Sequence, residues 1–261
     1  MPHSIEAETA RHGTELPGGW TLQAGPFAAL AAAALYLRSR WADLPERFPV
    51  HWGFDGRPNG WATRSFAGVF GPLILAAVIV ASMVLLAWLR QRQVRSAGYA
   101  HAPATAAELR FRHAMQWALL ATEYLVVLIA IWTSLLPLAA AASDGTAGPP
   151  NIAPVGALIL IFVVSVTIIM ARLGREARLA AAREIVAHHG PGATPRSGRA
   201  RESCWKAGMF YVNSDDPSIF VEKRFGIGYT LNFAHPVSWL ILGLGILAPL
   251  AVAVWVTHSA S

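Results

Sequence analysis

FAGVFGPLILAAVIVASMVLLAWL, Phe66–Leu89, contains no Asp, Glu, Lys or Arg. It is long enough for a helix to cross the roughly 30 Å hydrocarbon core of a bilayer, which takes about 20 residues. Four further stretches share its character: residues 20–37, 114–136, 154–171 and 237–257, of which only the third span in chain order carries a charge, Glu123. The whole chain has 261 residues, 54% hydrophobic and only 14% charged, whereas about a quarter of the residues in a soluble domain are charged. The expectation is an all-α polytopic membrane protein with about five transmembrane helices and a small cytoplasmic β-hairpin-like insertion between the fourth and fifth.

A formal net charge of +6 invites a nucleic-acid reading, but the basic residues lie between the apolar segments, where membrane topology accounts for them. If the N-terminus is cytoplasmic, the inner segments hold Arg11, the five Arg of 90–112 and the ten Lys or Arg of 172–224. Sixteen then lie inside, against five outside, Arg38, Arg40, Arg47, Arg57 and Arg64. The expected topology is N-terminus in and C-terminus out, with membrane lipids and the anionic inner leaflet as partners, no nucleic acid and no cofactor. Residues 1–19 read as a cytoplasmic tail with too few positive charges for a cleaved signal, so the first apolar segment is expected to be a retained span. Cys204, the only cysteine, excludes an intramolecular disulfide and a cysteine-based zinc site.

The first two spans form a module over 20–113 around an outer loop, 38–65. Within that loop LPERFPVHWGFDGRPNGW, residues 44–61, is polar and rich in turns: Asp55-Gly56 and Asn59-Gly60 are turn dipeptides, and Pro45, Pro49 and Pro58 fix φ and extend the residues before them. His51, Asp55 and Asn59 recur every four residues, but the intervening Gly and Pro exclude a helix, so turns must bring them together. His51 with Asp55 could serve as an acid–base or metal pair with Glu46 as a further oxygen ligand; the same residues in a Pro/Gly loop also hold its shape through backbone bonds. Trp52 and Trp61 flank them as interfacial anchors, or as a grip for a peptide or lipid arriving from outside.

The pattern Pro49-x-His51-Trp52-x-x-x-Gly56 followed by Asn59-Gly60-Trp61 resembles the N-terminal domain of unknown function shared by bacterial Sdp-type immunity proteins and many uncharacterised membrane proteins. A second block, from Trp205 to Pro236, resembles another uncharacterised domain, through Tyr211-x-Asn213-x-Asp215-Asp216-Pro217 and Phe225-Gly226-x-Gly228-x-Thr230-x-Asn232-Phe233. The resemblance implies a multi-span protein of the bacterial cytoplasmic membrane and no established reaction.

Beyond the third and fourth spans (114–171), residues 172–203 read as a basic amphipathic helix extension, carrying Arg172, Arg175, Arg178 and Arg183, followed by a flexible Gly/Pro/Arg/Ser linker. Residues 204–236 form a cytoplasmic platform. In it 209–213 and 219–223 read as strands around the turn Ser214-Asp215-Asp216-Pro217, and a third extended run follows through Ile227, Tyr229, Leu231 and Phe233. Tyr211, Asn213, Asp215, Asp216, Lys223, Arg224 and Asn232 are its candidate functional residues; Asp215-Asp216 fits a turn better than a metal site, and Lys223-Arg224 suits lipid phosphates. Residues 237–261 supply the fifth span and a tail. His101, His113 and His188-His189 lack ligand-spaced partners and read as interfacial or helix-end residues.

Glu123 lies eleven residues beyond Arg112, about 16 Å at helical rise, and therefore deep in the hydrocarbon. A charged carboxyl there costs at least a few kcal/mol, so an intramembrane acid is a functional candidate by default. Gln116, seven residues earlier, shares its helix face. Three readings follow. The first is a non-enzymatic protein that binds a peptide or lipid at its outer loop and reports to a cytoplasmic protein, with immunity or signalling of the Sdp type. The others are a proton-coupled transporter or relay centred on Glu123, and an intramembrane enzyme using His51, Asp55 and Glu123. The chain shows no Gly-x-Ser-x-Gly, His-Glu-x-x-His or P-loop.

Overall fold

The computed structural model describes residues 19–52, 57–96, 106–142, 153–189, 203–223 and 229–260. Five long helices dominate it: α1 (Gly19–Ser39), α2 (Phe66–Ser96), α3 (Ala106–Ala142), α4 (Ala153–His189) and α5 (Pro236–Ala260). Each contains a window long and apolar enough to cross a membrane, at Gly19–Ser39, Phe66–Leu89, His113–Ala139, Val155–Glu176 and Pro236–Ser259. A spanning segment must satisfy its own backbone polar groups, and the helix does so within one chain segment. Ser65 starts α2 as an N-cap, its hydroxyl accepting from the Gly68 N–H at 3.1 Å. Pro236 occupies the first position of α5, where its missing N–H is harmless. The tail and the Gly/Pro/Arg/Ser linker expected from the sequence lie outside the described residues.

The chain divides into two compact units. One comprises Gly18–Val84, Leu120–Phe162 and Leu244–Ser261. Its core joins Leu30, Ala33 and Leu37 of α1, Val69, Phe70, Leu73, Ala76 and Val80 of α2, and Val127 and Ala130 of α3. A 3₁₀ turn at Trp41–Asp43 and the strands β1 (Arg47–Trp52) and β2 (Pro58–Thr63) follow α1. The strands pair antiparallel, so this loop is a hairpin, which the turn-rich reading of 44–61 does not anticipate. Leu44, Phe48 and Ala62 join the helix core, and Trp41 stacks on Phe70 at 6.1 Å between centroids. Small residues permit close approach elsewhere: a Cβ at Gly71 of α2 would come within 2.5 Å of Val256 on α5.

The other unit includes Leu85–Leu119 and Val163–Gly243. Its non-helical part holds β3 (Trp205–Lys206), β4 (Phe210–Tyr211), β5 (Phe220–Glu222) and β6 (Tyr229–Leu231). β4, β5 and β6 fall within the extended runs expected from the sequence, but β3 was not expected and the pairing differs. β3 pairs with β4 and β5 with β6, while the Ser214–Pro217 turn joins β4 to β5 without a ladder between them. The reason is local: Ala207 and Gly208 both have positive φ, 49° and 71°, the centre of a primed turn closed by the Met209 N–H on the Lys206 carbonyl at 3.2 Å, which returns the chain with the right twist. Tyr211 makes an isolated parallel bridge to Asn232. No residue from 155 to 173 of α4 is buried, and apolar side chains such as Leu160 and Ile161 are exposed. That is the surface a lipid-facing helix requires.

Candidate functional site

The β1–β2 hairpin has a buried and a displayed face. Phe48 is 1% exposed and Ala62 is buried, and these fasten it to the helices. Two register shifts, between Pro49 and His51 and between His51 and Trp52, interrupt the ladder. An extra residue in one strand breaks the two-residue alternation, and here Val50, at 52% exposure, and His51 both face outward. Across from them Trp61 is 44% exposed with the Arg47 guanidinium 5.2 Å from its ring centroid. His51 Nδ1 hydrogen-bonds Asn59 Oδ1, and the β1–β2 pairing brings these two candidates together. Gly60 opposite leaves room for His51: a Cβ there would lie 2.8 Å from the His51 Cβ. Arg64 braces the base, donating from Nη1 to the Leu44 carbonyl at 3.0 Å. Asp55 and the Trp52 side chain lie outside the described residues.

Glu123 is 2% exposed, and its Oε2 has no hydrogen-bond partner among the described residues. The buried stripe of α3, Gln116, Leu120, Glu123, Val127, Ala130 and Ser134, advances in steps of four and three, one helical face. Gln116 Oε1 and Ser134 Oγ are likewise buried without a partner there, and so is Gln23 Oε1 on α1. Tyr124, the next residue, shows where α3 meets α1. Pro26 has no N–H to return to the Leu22 carbonyl, and the Tyr124 hydroxyl donates to that carbonyl at 3.0 Å instead. Gly25 makes the approach possible, since a Cβ on it would collide with the Tyr124 hydroxyl. Glu123 is therefore level with the opening turns of the first span. The hairpin follows the other end of α1, so His51 and Glu123 are separated by most of that helix, about 25 Å for the seventeen residues from Leu22 to Ser39.

In the 204–236 block the candidate residues form a clamp. Asn232 is 0% exposed and uses every valence of its amide. Oδ1 accepts from the Asn213 and Ala234 N–H groups at 3.0 and 3.2 Å, and Nδ2 donates to the Asn213 and Asp216 carbonyls at 2.8 and 3.0 Å. Tyr211, also fully buried, donates to Asp216 Oδ2 at 3.0 Å and accepts from Asn213 Nδ2 at 3.1 Å. Asp216 Oδ1 receives the Ser218 N–H at 2.9 Å, and Asn213 Oδ1 the Asp215 N–H at 3.0 Å, which is the turn expected from the sequence. Two members were missed: His235, whose Nε2 meets the Asp216 carbonyl at 2.6 Å, and Ser238, which donates to the Asn232 carbonyl at 2.6 Å. Their signal was short spacing after Asn232. Lys223 is exposed and Arg224 lies outside the described residues. Phe210, Phe233 and Trp239 form a chain of edge-on contacts at 5.5 and 5.2 Å, leading from the clamp to the first turn of α5. No group of three metal-ligating side chains occurs among the described residues.

Residues 27–76, covering most of α1, the hairpin and the start of α2, match the family model described as a domain of unknown function, DUF1648. Residues 214–239, the heart of the clamp, match a family of unknown function, DUF5808. No curated protein and no solved structure matches the chain. Domains of unknown function together with five apolar helices make this an integral, multi-pass membrane protein.

Proposed function

We propose that this integral membrane protein is a non-enzymatic receptor for an amphipathic, membrane-active peptide, bound at the β1–β2 hairpin on the outer face of a bacterial cytoplasmic membrane, in the manner of an Sdp-type immunity protein. The observation that carries the reading is the split character of the hairpin. Phe48 and Ala62 anchor it in the helix core, while Val50, His51 and Trp61, with Arg47 over the indole, stand exposed on a rigid support. An aromatic–cation surface held in place loses little entropy on binding, and exposed Trp is the residue type that dominates binding energy. A shared reaction of His51 and Glu123 gains no support from two groups at opposite ends of α1. A relay at Glu123 is favoured by its unpartnered oxygen and is taken up below.

The test is survival of cells that express or lack the protein when challenged with membrane-active peptides. Expression is expected to protect, and Trp61→Ala is expected to weaken peptide affinity about tenfold while leaving thermal stability unchanged, because the indole lies on the displayed face. Equal survival with and without the protein would sink the receptor reading. Response to lipid vesicles alone, with none to peptide, would replace the peptide by a lipid.

The sixteen-to-five distribution of Lys and Arg supports an orientation with the hairpin outside. Cys204 is partly exposed and is the only cysteine. It is expected to react with a membrane-impermeant thiol reagent only after the membrane is opened, whereas a cysteine replacing the exposed Asn59 should react in intact cells. Labelling of Cys204 in intact cells would reverse the orientation.

A further inference from the structure

Two helices contribute to the most unusual surroundings in the chain. The hydrogen bond from the Tyr124 hydroxyl to the Leu22 carbonyl places the neighbours of its two partners, Glu123 and Gln23, at one level of the α1–α3 contact. Both are more than nine-tenths buried, and each has an oxygen without a hydrogen-bond partner among the described residues, Glu123 Oε2 and Gln23 Oε1. A buried, unsatisfied oxygen is costly, and an apolar side chain at either position would remove that cost, so two at one level of one helix contact call for a ligand.

The surroundings show which ligand chemistry suits them. No ionisable side chain lies in 66–89 of α2; α1 offers none before Tyr36, thirteen residues and about 20 Å beyond Gln23; and on α3 the neighbouring Tyr124 already donates to Leu22. None of these described segments supplies positive charge at that level, and both open atoms are oxygens. The missing component is a small hydrogen-bond donor.

We propose that Gln23 and Glu123 form an intramembrane proton-binding site, in which the Glu123 carboxyl takes up and releases a proton and the Gln23 carbonyl holds the water molecule that delivers it. The carboxyl is the only acidic group in residues 20–37, 66–89, 114–136, 154–171 and 237–257. The Gly25-Pro26 pair makes the site: proline opens the Leu22 carbonyl, glycine admits Tyr124 to it, and that contact fixes the approach of α1 and α3 at the level of Gln23 and Glu123. This site is separate from the hairpin, so either can fail without the other.

The purified full chain in lipid vesicles provides the test, with dicyclohexylcarbodiimide as probe. The protonated carboxyl adds its O–H across a C=N bond of this apolar reagent, and migration of the acyl group from oxygen to nitrogen leaves a stable N-acylurea found by peptide mass spectrometry. Glu123 is expected to be modified, with the rate falling about tenfold per pH unit above the midpoint. Gln23→Met, which keeps side-chain length but removes the acceptor, is expected to slow modification about fivefold, the worth of roughly one hydrogen bond. Absence of modification at every pH overturns the proposal, and so does modification independent of pH, which marks a permanently neutral structural acid. Protection by sodium ions at constant pH would overturn it in favour of a cation site, and an unchanged rate in Gln23→Met would dissolve the pair. Circular dichroism of Gln23→Met shows whether its helices are intact; if they are not, Gln23→Leu, which likewise removes the acceptor, decides in its place.

Discussion

Replacing Asn232 by alanine is expected to destabilise the 204–236 block by about 4 kcal/mol, since each buried partner left unsatisfied costs about 1–3 kcal/mol. Four backbone groups bond this one amide: the N–H groups of Asn213 and Ala234 and the carbonyls of Asn213 and Asp216, the last of which also meets His235 Nε2. Asn232→Asp should be nearly as damaging, although it conserves shape and polarity. A carboxylate has no donor for the two carbonyls and would hold negative charge against them at 0% exposure. The measurement is the rate at which a thiol reagent modifies Cys204, whose carbonyl accepts the Val212 N–H at 2.8 Å within the same block. Both variants should accelerate it strongly while the helical signal is kept. Wild-type kinetics in Asn232→Asp would mean that the clamp does not hold the block together.

The second large effect is expected at Gly25. Alanine there places a methyl group against the Tyr124 hydroxyl, and because Pro26 prevents the helix from adjusting freely, overpacking of about 2–3 kcal/mol should follow. Tyr124→Phe alone should cost about 1 kcal/mol, the hydrogen bond to Leu22. The double variant should be less destabilised than the sum, because the phenylalanine removes the atom that the new methyl meets. Thermal unfolding of all three proteins in detergent checks this. Strict additivity would show that the two residues do not meet.

The membrane architecture was legible because a span announces itself by composition over some twenty residues, and composition survives any uncertainty about packing. Phe66–Leu89 is recovered with the same bounds, and His113–Ala139 extends the expected 114–136 by only one and three residues. What depends on contacts distant in sequence was not legible. The turn at Ser214–Pro217 could be read from its residues, but Asn232 reaches Asn213 across nineteen positions, and no local pattern reports that. In residues 44–61 both the proximity of His51 and Asn59 and the register shift that exposes Val50 follow from strand pairing. Glu123 was conspicuous as the one charge in five spans. Its relation to α1 was written in Gly25-Pro26, since a proline inside a span leaves a carbonyl that some other residue must satisfy.

That open carbonyl bears on biogenesis. As α1 leaves the ribosome it is the least hydropathic of the five spans, and at Leu22 it carries one backbone acceptor that its own helix cannot close. The hydroxyl that closes it belongs to Tyr124, about a hundred residues later in translation. Until α3 arrives, the first span has reason to linger at the edge of the translocon instead of partitioning into lipid, so its final insertion is coupled to synthesis of the third. A chain truncated after α2 should then release α1 from a microsomal membrane on alkaline extraction more readily than one truncated after α3.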